Sequence, residues 1–134
     1  MSEIIYSENK DVAISKLLKL YKTSQYNQWW TERHVRAMFN YCYLLITAWA
    51  DDHLVGTVTV ISDGVNFAYI DDLLVHPSFR GRKIGSTLMQ KVLDRIRPLN
   101  LKFVQLVSIP GKESFFERAG FRVIPMHQVM ELSE

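Results

Sequence analysis

Apolar positions follow a helical period at the start of the chain, a strand period in its middle, and a helical period again after Pro77. A short strand is expected over residues 4–6. Ala13, Leu17, Leu20 and Tyr21 then form one stripe, which predicts a helix over residues 11–22. Residues 23–30 are polar with interspersed aromatics and read as a loop. Thr31 is a good N-cap and Glu32 suits the first turn of a second helix. Val35, Met38, Phe39 and Cys42 follow at the spacing of its buried face. Residues 44–50 are rich in β-formers, and residues 54–61 alternate Val58 and Val60 with Thr57 and Thr59. A third strand is expected over 67–75. The turns at 51–53 and 62–64 are too short for crossovers, so an antiparallel meander results.

Beyond Pro77, Ile84, Leu88, Val92 and Ile96 mark an amphipathic helix that Pro98 stops. A strand over 102–107 would return parallel to the 67–75 strand through a right-handed crossover. A short helix over 112–119 ends at Gly120, and two short strands around Pro125 would close the chain. These elements predict an α/β fold on one mixed, mostly antiparallel sheet flanked by helices.

A chain of 134 residues with 48% apolar and 22% charged side chains fits one globular domain spanning 1–134. Cys42 is the only cysteine, which excludes a disulfide scaffold. A net charge of +2 gives no reason to expect nucleic-acid binding. The longest apolar run, residues 41–50, is far short of the roughly 20 residues that span a bilayer. The acidic start lacks the basic region of a signal peptide, so a cytoplasmic location is expected. His34, His53, His76 and His127 show no metal-ligand spacing, and no metal is expected.

The chemistry concentrates between Asp71 and Ser86, where a strand leads through a basic, glycine-containing turn into a helix. Amides at a helix N-terminus lack partners, and the helix dipole adds positive potential there. With Arg80, Arg82 and Lys83 beside it, this turn suits an anion; a merely solvated basic turn is the other reading. It is not a nucleotide P-loop, having no Gly-Lys-Ser/Thr, and it lacks the G-x-G-x-x-G of dinucleotide folds.

Arg80-Gly81-Arg82-Lys83-Ile84-Gly85 resembles the coenzyme A-binding signature R/Q-x-x-G-x-G/A of the GNAT superfamily of N-acetyltransferases. Leu73-Leu74-Val75-His76-Pro77 before it looks like the family's strand end, and Phe115-Phe116-Glu117-Arg118-Ala119-Gly120-Phe121 looks like its F-Y-E-K-x-G-F element. The resemblance covers nearly the whole chain and implies a GNAT fold, with one parallel pair of strands splayed around the cofactor. It implies acetyl-coenzyme A as cosubstrate and acetyl transfer to a primary amine by direct attack. Backbone groups of Leu73, Leu74 and Val75 would hold the pantetheine arm; Arg80, Gly81, Arg82, Lys83, Ile84, Gly85 and Ser86 would hold the pyrophosphate. Cys42 then need not be a nucleophile and reads as a core residue.

Two departures stand out. Lys83 replaces the signature glycine, and a helical φ there would keep its amide available. Phe116 replaces the tyrosine that serves as acid for the leaving thiol, which implies a slower enzyme. A regular strand would put Tyr69 and Asp71 on one face as proton relay and first candidate base, with Asp72 opposite unless a bulge exchanges them. The two aspartates are equally consistent with a solvated strand end. Tyr26, Trp29 and Trp30 would form either an aromatic wall for the acceptor or a hydrophobic plug. The implied partner is a small-molecule amine, with no nucleic acid and no membrane; a homodimer is left open. A coenzyme A-binding protein with little transferase activity, and a protein acetyltransferase, are the alternatives.

Overall fold

The structure is a computed structural model and describes residues 3–133. Its elements run β1 (Ile4–Ser7), α1 (Ile14–Tyr21), α2 (Glu32–Tyr41), β2 (Leu44–Ala50), β3 (His53–Ser62), β4 (Phe67–Val75), α3 (Ile84–Ile96), β5 (Phe103–Gln105) and α4 (Glu113–Arg118). The strands form one sheet in the order β1-β2-β3-β4-β5. All pairs are antiparallel except β4 and β5, which are parallel.

The sheet is covered on both faces. Ile46, Ala48, Val58, Val60 and Ile70 pack with Ile84, Leu88 and Val92 of α3 in one cluster. Leu17, Leu20, Tyr21 and Val35 of α1 and α2 join Leu54 and Leu74 in another. Double coverage explains why the alternation expected in β3 does not divide core from solvent. Thr57 and Thr59 are as buried as Val58 and Val60. Their hydroxyls donate to the carbonyls of Ile46 (3.3 Å) and Asp71 (3.1 Å), which removes the cost of burying them. Gly56 lets α3 approach the sheet: a Cβ there would lie 3.1 Å from Ile84 Cγ2 and 3.2 Å from Leu88 Cδ1. This close packing sets where α3 begins, and hence where its first amides stand.

Several boundaries differ from the sequence-based expectation. α1 begins at Ile14, because the amide of Asp11 bonds the Asn9 side chain in a turn instead of entering a helix. The Thr31 cap is present, with His34 as its reciprocal partner: Thr31 Oγ1 accepts from His34 N–H, and His34 Nδ1 from Thr31 N–H. Cys42 is buried at the end of α2. α3 gives way at Ile96 to a turn containing Pro98, and Asn100 reverses the chain in a left-handed conformation. Gly120 (φ 105°) ends α4, with Phe121 N–H donating to the Phe116 carbonyl at 3.0 Å. The two strands expected around Pro125 are absent among the described residues. Pro125 has no N–H to donate, and Met126 takes a left-handed φ of 62° that breaks an extended run.

Candidate functional site

β5 is the key to the site. It pairs with β4 only from Phe67/Phe103 to Tyr69/Gln105, after which the two chains separate. Residues 106–110 turn away while β4 continues to Val75, and a cavity of about 1070 Å³ opens between them. Ile70, Leu73, Leu74 and Val75 line it from β4; Leu106, Val107 and Ile109 face them. The start of α3 closes one end and the 23–27 loop borders the other.

At the α3 end, Arg80, Gly81, Lys83, Ile84, Gly85 and Ser86 all line the cavity. Gly81 has φ 81°, a conformation that glycine adopts without a Cβ penalty. Gly85 has no such requirement. Its missing side chain leaves space, since a Cβ would meet only Phe115 and Val75 at 3.6–3.8 Å. Arg82 is not among the lining residues; its guanidinium lies over the Phe79 ring, 5.3 Å from the centroid. Lys83 corrects the sequence reading. Its φ is 63°, left-handed and not helical, so this is a position where glycine would sit without strain. The backbone amide is retained nonetheless, and the Lys83 carbonyl still accepts from Thr87 N–H at 3.0 Å to open the helix.

At the other end, β4 is bulged. Leu74 pairs with Thr57 and Asp71 with Thr59, so Asp72 and Leu73 together oppose Val58 alone. Asp72 takes φ 48°, and its N–H donates to Asp71 Oδ1 at 3.0 Å. The bulge overturns the parity of a regular strand: Asp71 and Asp72 both line the cavity. Asp72 Oδ2 is buried with no hydrogen-bond partner. Burial, and secondly the charge of Asp71, push the Asp72 carboxyl up to about 7. Burial also raises Asp71, opposed by the bond from the Asp72 amide. Asp72, which a regular strand would have turned away, is therefore the group better suited to hold a proton near neutral pH. The adjacent Asp-Asp pair was the one available sequence signal for it.

Tyr69 lies outside the cavity lining. Burial and both aspartates raise its phenol above its ordinary value, against the effect of a bond from the Val107 backbone. Tyr26 lines the cavity, together with Thr23, Ser24, Gln25 and the buried Asn27, which sequence reasoning passed over as loop polars. Trp29 and Trp30 do not line it. Trp30 is buried and stacks on Tyr21 at 4.7 Å, with Trp29 stacked outside it at 4.7 Å. They cap the α1–α2 core, which is the plug reading. Phe116 lines the cavity, edge-on to Phe115 at 5.1 Å, and brings no proton to it.

This geometry agrees with comparisons to known proteins. Residues 12–121 match the model of the Acetyltransferase (GNAT) family. The chain belongs to the GNAT acetyltransferase family. An uncharacterized N-acetyltransferase, ycf52, of Pyropia yezoensis is 29% identical over 72 residues, covering 54% of this chain and 41% of that protein. The chain thus spans less than half the length of that curated relative. A GNAT-family acetyltransferase structure from Streptococcus pneumoniae superimposes with a TM-score of 0.84 at 22% identity, covering 98% of each chain. An aminoglycoside 6'-N-acetyltransferase solved with coenzyme A superimposes at 0.73 and 18% identity, covering 90% of this chain and 86% of that one. At these identities the structures establish the fold. No helix among the described residues is long and apolar enough to cross a membrane. No cluster of three or more potential metal ligands occurs among them.

Proposed function

We propose that this chain is an N-acetyltransferase that moves an acetyl group from acetyl-coenzyme A to the primary amine of a small molecule, by direct attack with both substrates bound. The observation that carries the reading is the continuity of one cavity. It runs from the amides and cations at the start of α3, past the β4 residues left beside the splay, to the Asp71–Asp72 bulge. Residues 80–86 fit a pyrophosphate, through amides at a helix N-terminus with Arg80 and Lys83 beside them. Residues 73–75 fit an extended amide-containing arm, which would add to β4 where β5 has departed. The bound thioester supplies the activated acetyl group and a thiolate leaving group.

Proton removal from the acceptor falls to Asp72. An alkylammonium of pKa about 10.4 loses its proton to an ordinary carboxylate of pKa about 3.9 only across more than six units. A carboxyl near 7 cuts this by about three units, equivalent to roughly 4 kcal/mol. Asp71 and Asp72 also give the acceptor end of the cavity two acidic groups, which favours a cation. Tyr26 and Asn27 border that end and would contact the rest of the acceptor.

Phe116 is the observation that favours a second reading, a coenzyme A-binding protein with weak transfer. General acid catalysis is worth about 10²–10⁴-fold, and a thiol of pKa about 8.5 needs it least. Transfer without an acid is therefore retained in the proposal. Coenzyme A release measured over a panel of small amines, beside a binding titration with acetyl-coenzyme A, separates the two readings. Acetylation of a small amine with activity rising through about pH 7 supports the proposal. Binding with no acetylation of any amine overturns it.

A further inference from the structure

α1 ends on Tyr21, which shares its buried stripe with Leu17 and Leu20 and is 0% exposed. Tyr21 packs with Trp30, Leu54 and Leu74 in the second core cluster, and Leu74 lies two residues beyond Asp72 on β4. A phenol in such a place buries its ring well, but its hydroxyl still needs a partner. Among the described residues Tyr21 Oη has none, and neither has Asp72 Oδ2. One is a donor and the other an acceptor, so each has what the other lacks. Trp30 Nε1, on the ring stacked against Tyr21, is a second buried donor without a partner. Buried polar groups are rarely left this way, because an unmade bond costs the full desolvation of the group.

The two groups lie within each other's field. Burial first, then the charge of Asp72 and that of Asp71, hold the Tyr21 phenol well above its ordinary value. Tyr21 therefore keeps its proton and remains a donor. What shifts Asp72 is burial and Asp71, not a cation. Tyr69, on the same strand, feels both aspartates, and Cys42 at the end of α2 acts on Tyr21. His34 of α2 is engaged with Thr31. Lys16 and Lys22 near α1 bond the carbonyls of Asp52 and Gln28, and Lys19 is exposed. The phenol is thus the donor that the fold brings toward the ionised carboxyl.

We propose that Tyr21 is a positioning residue for Asp72, its hydroxyl donating to Asp72 Oδ2, directly or across one water, whenever that carboxyl is ionised. A shared water could accept from Tyr21 and Trp30 together and donate to the carboxylate, which suits the two to four bonds a buried water makes. When Asp72 takes a proton from an acceptor ammonium, this bond is given up and Tyr21 keeps its own proton. The phenol tunes the base without entering the transfer. Its role in catalysis rests on the transferase reading; the bond does not.

The test is a carbon-13 titration of the Asp72 carboxyl in the chain alone, wild type against Tyr21→Phe, which keeps the ring. The wild-type midpoint should lie at about 7, and the variant's about one pH unit higher, a tenfold weaker acid. The variant should melt with wild type at about pH 5 and below it at about pH 8, since only the ionised form makes the bond. A midpoint that stays or falls overturns the proposal, and so does the same melting deficit at both pH values, which is packing alone. Should the variant fold poorly, the Tyr21 hydroxyl proton of the wild type decides. Slow exchange and a downfield move as Asp72 ionises support the bond; fast exchange or no move overturns it. With an amine that is acetylated, the rising limb of kcat/KM should shift by the same amount at unchanged acetyl-coenzyme A affinity. A shifted carboxyl with no amine acetylated supports the bond and sinks the transferase reading instead.

Discussion

Two lining residues, Lys83 and Asp72, share a left-handed backbone that non-glycine residues rarely adopt, with φ of 63° and 48°. They stand at opposite ends of one cavity and use that conformation differently. In the proposed function the backbone is the useful part at Lys83, whose turn would offer the first amides of α3 to an anion, and glycine would serve equally well. At Asp72 the same proposal makes the side chain the useful part. The strained bulge turns a second carboxyl into the cavity beside Asp71 and buries it without a partner. Strain of about 1–3 kcal/mol persists only where surrounding structure imposes it. At Asp72 the irregular pairing of β4 with β3 imposes it.

Asp72→Asn should break the comparison most visibly. It removes the carboxyl poised near 7 while keeping shape, and should lower kcat/KM by about 10²–10⁴ with acetyl-coenzyme A affinity intact. The wild-type rate should rise with pH through about 7, and the variant should lose that limb. Stability should move the opposite way. The folded pKa of Asp72 is raised, so its protonation favours the folded state at low pH, and that support is lost as pH rises from about 4 through 7. The variant should therefore melt higher than wild type at about pH 8, with the gap closing toward about pH 4. If Asp71→Asn is crippled instead and Asp72→Asn retains full turnover, the bases are exchanged.

Gly85→Asp tests the other end. It puts a side chain and a negative charge into the space left beside the first turn of α3. Coenzyme A affinity by calorimetry should fall at least about tenfold, with folding preserved because the Cβ meets no atom closer than 3.6 Å. Unchanged affinity would remove the anion site from that turn.

Phe116→Tyr carries a smaller effect. Phe116 lines the cavity and also packs against the core. Turnover with an accepted amine should rise, by up to about tenfold if thiolate departure limits the rate. A lower melting temperature without a gain would place the ring edge in the core instead.

The smallest expected effect sharpens the comparison directly. Lys83→Gly should raise the melting temperature slightly, since it relieves about 1–2 kcal/mol of left-handed strain and loses part of that to chain entropy. Coenzyme A affinity should change little, because the amide remains. Asp72→Gly relieves similar strain yet should abolish most activity.

Much of the scaffold was legible in the sequence. The order of helices and strands, the Thr31 cap, the parallel return of β5 and the basic turn before α3 rest on local periods, caps and glycines. These are properties of neighbouring residues, and a linear pattern carries them. The turn that lines the cavity before α3 was legible for the same reason, because it is one continuous segment.

What lay outside the sequence pattern depended on contacts between distant segments. A bulge has no period of its own, so the placing of both Asp71 and Asp72 along the cavity appeared only when β3 was paired with β4. The left-handed φ of Lys83 likewise leaves no mark in the local sequence, which fits a helical start equally well. Trp29 and Trp30 read equally as a binding wall or a plug because aromatics in a loop have no preferred destination; in the fold Trp30 is buried and stacks on Tyr21, some nine residues away. The segment after Phe121 has strand-like composition but forms no strand among the described residues. Sequence thus determined which elements form and in what order, since propensity and periodicity are local. Tertiary structure decided which side chains reach the cavity and which backbone groups stay unpaired, because strand pairing and burial join residues the chain holds far apart.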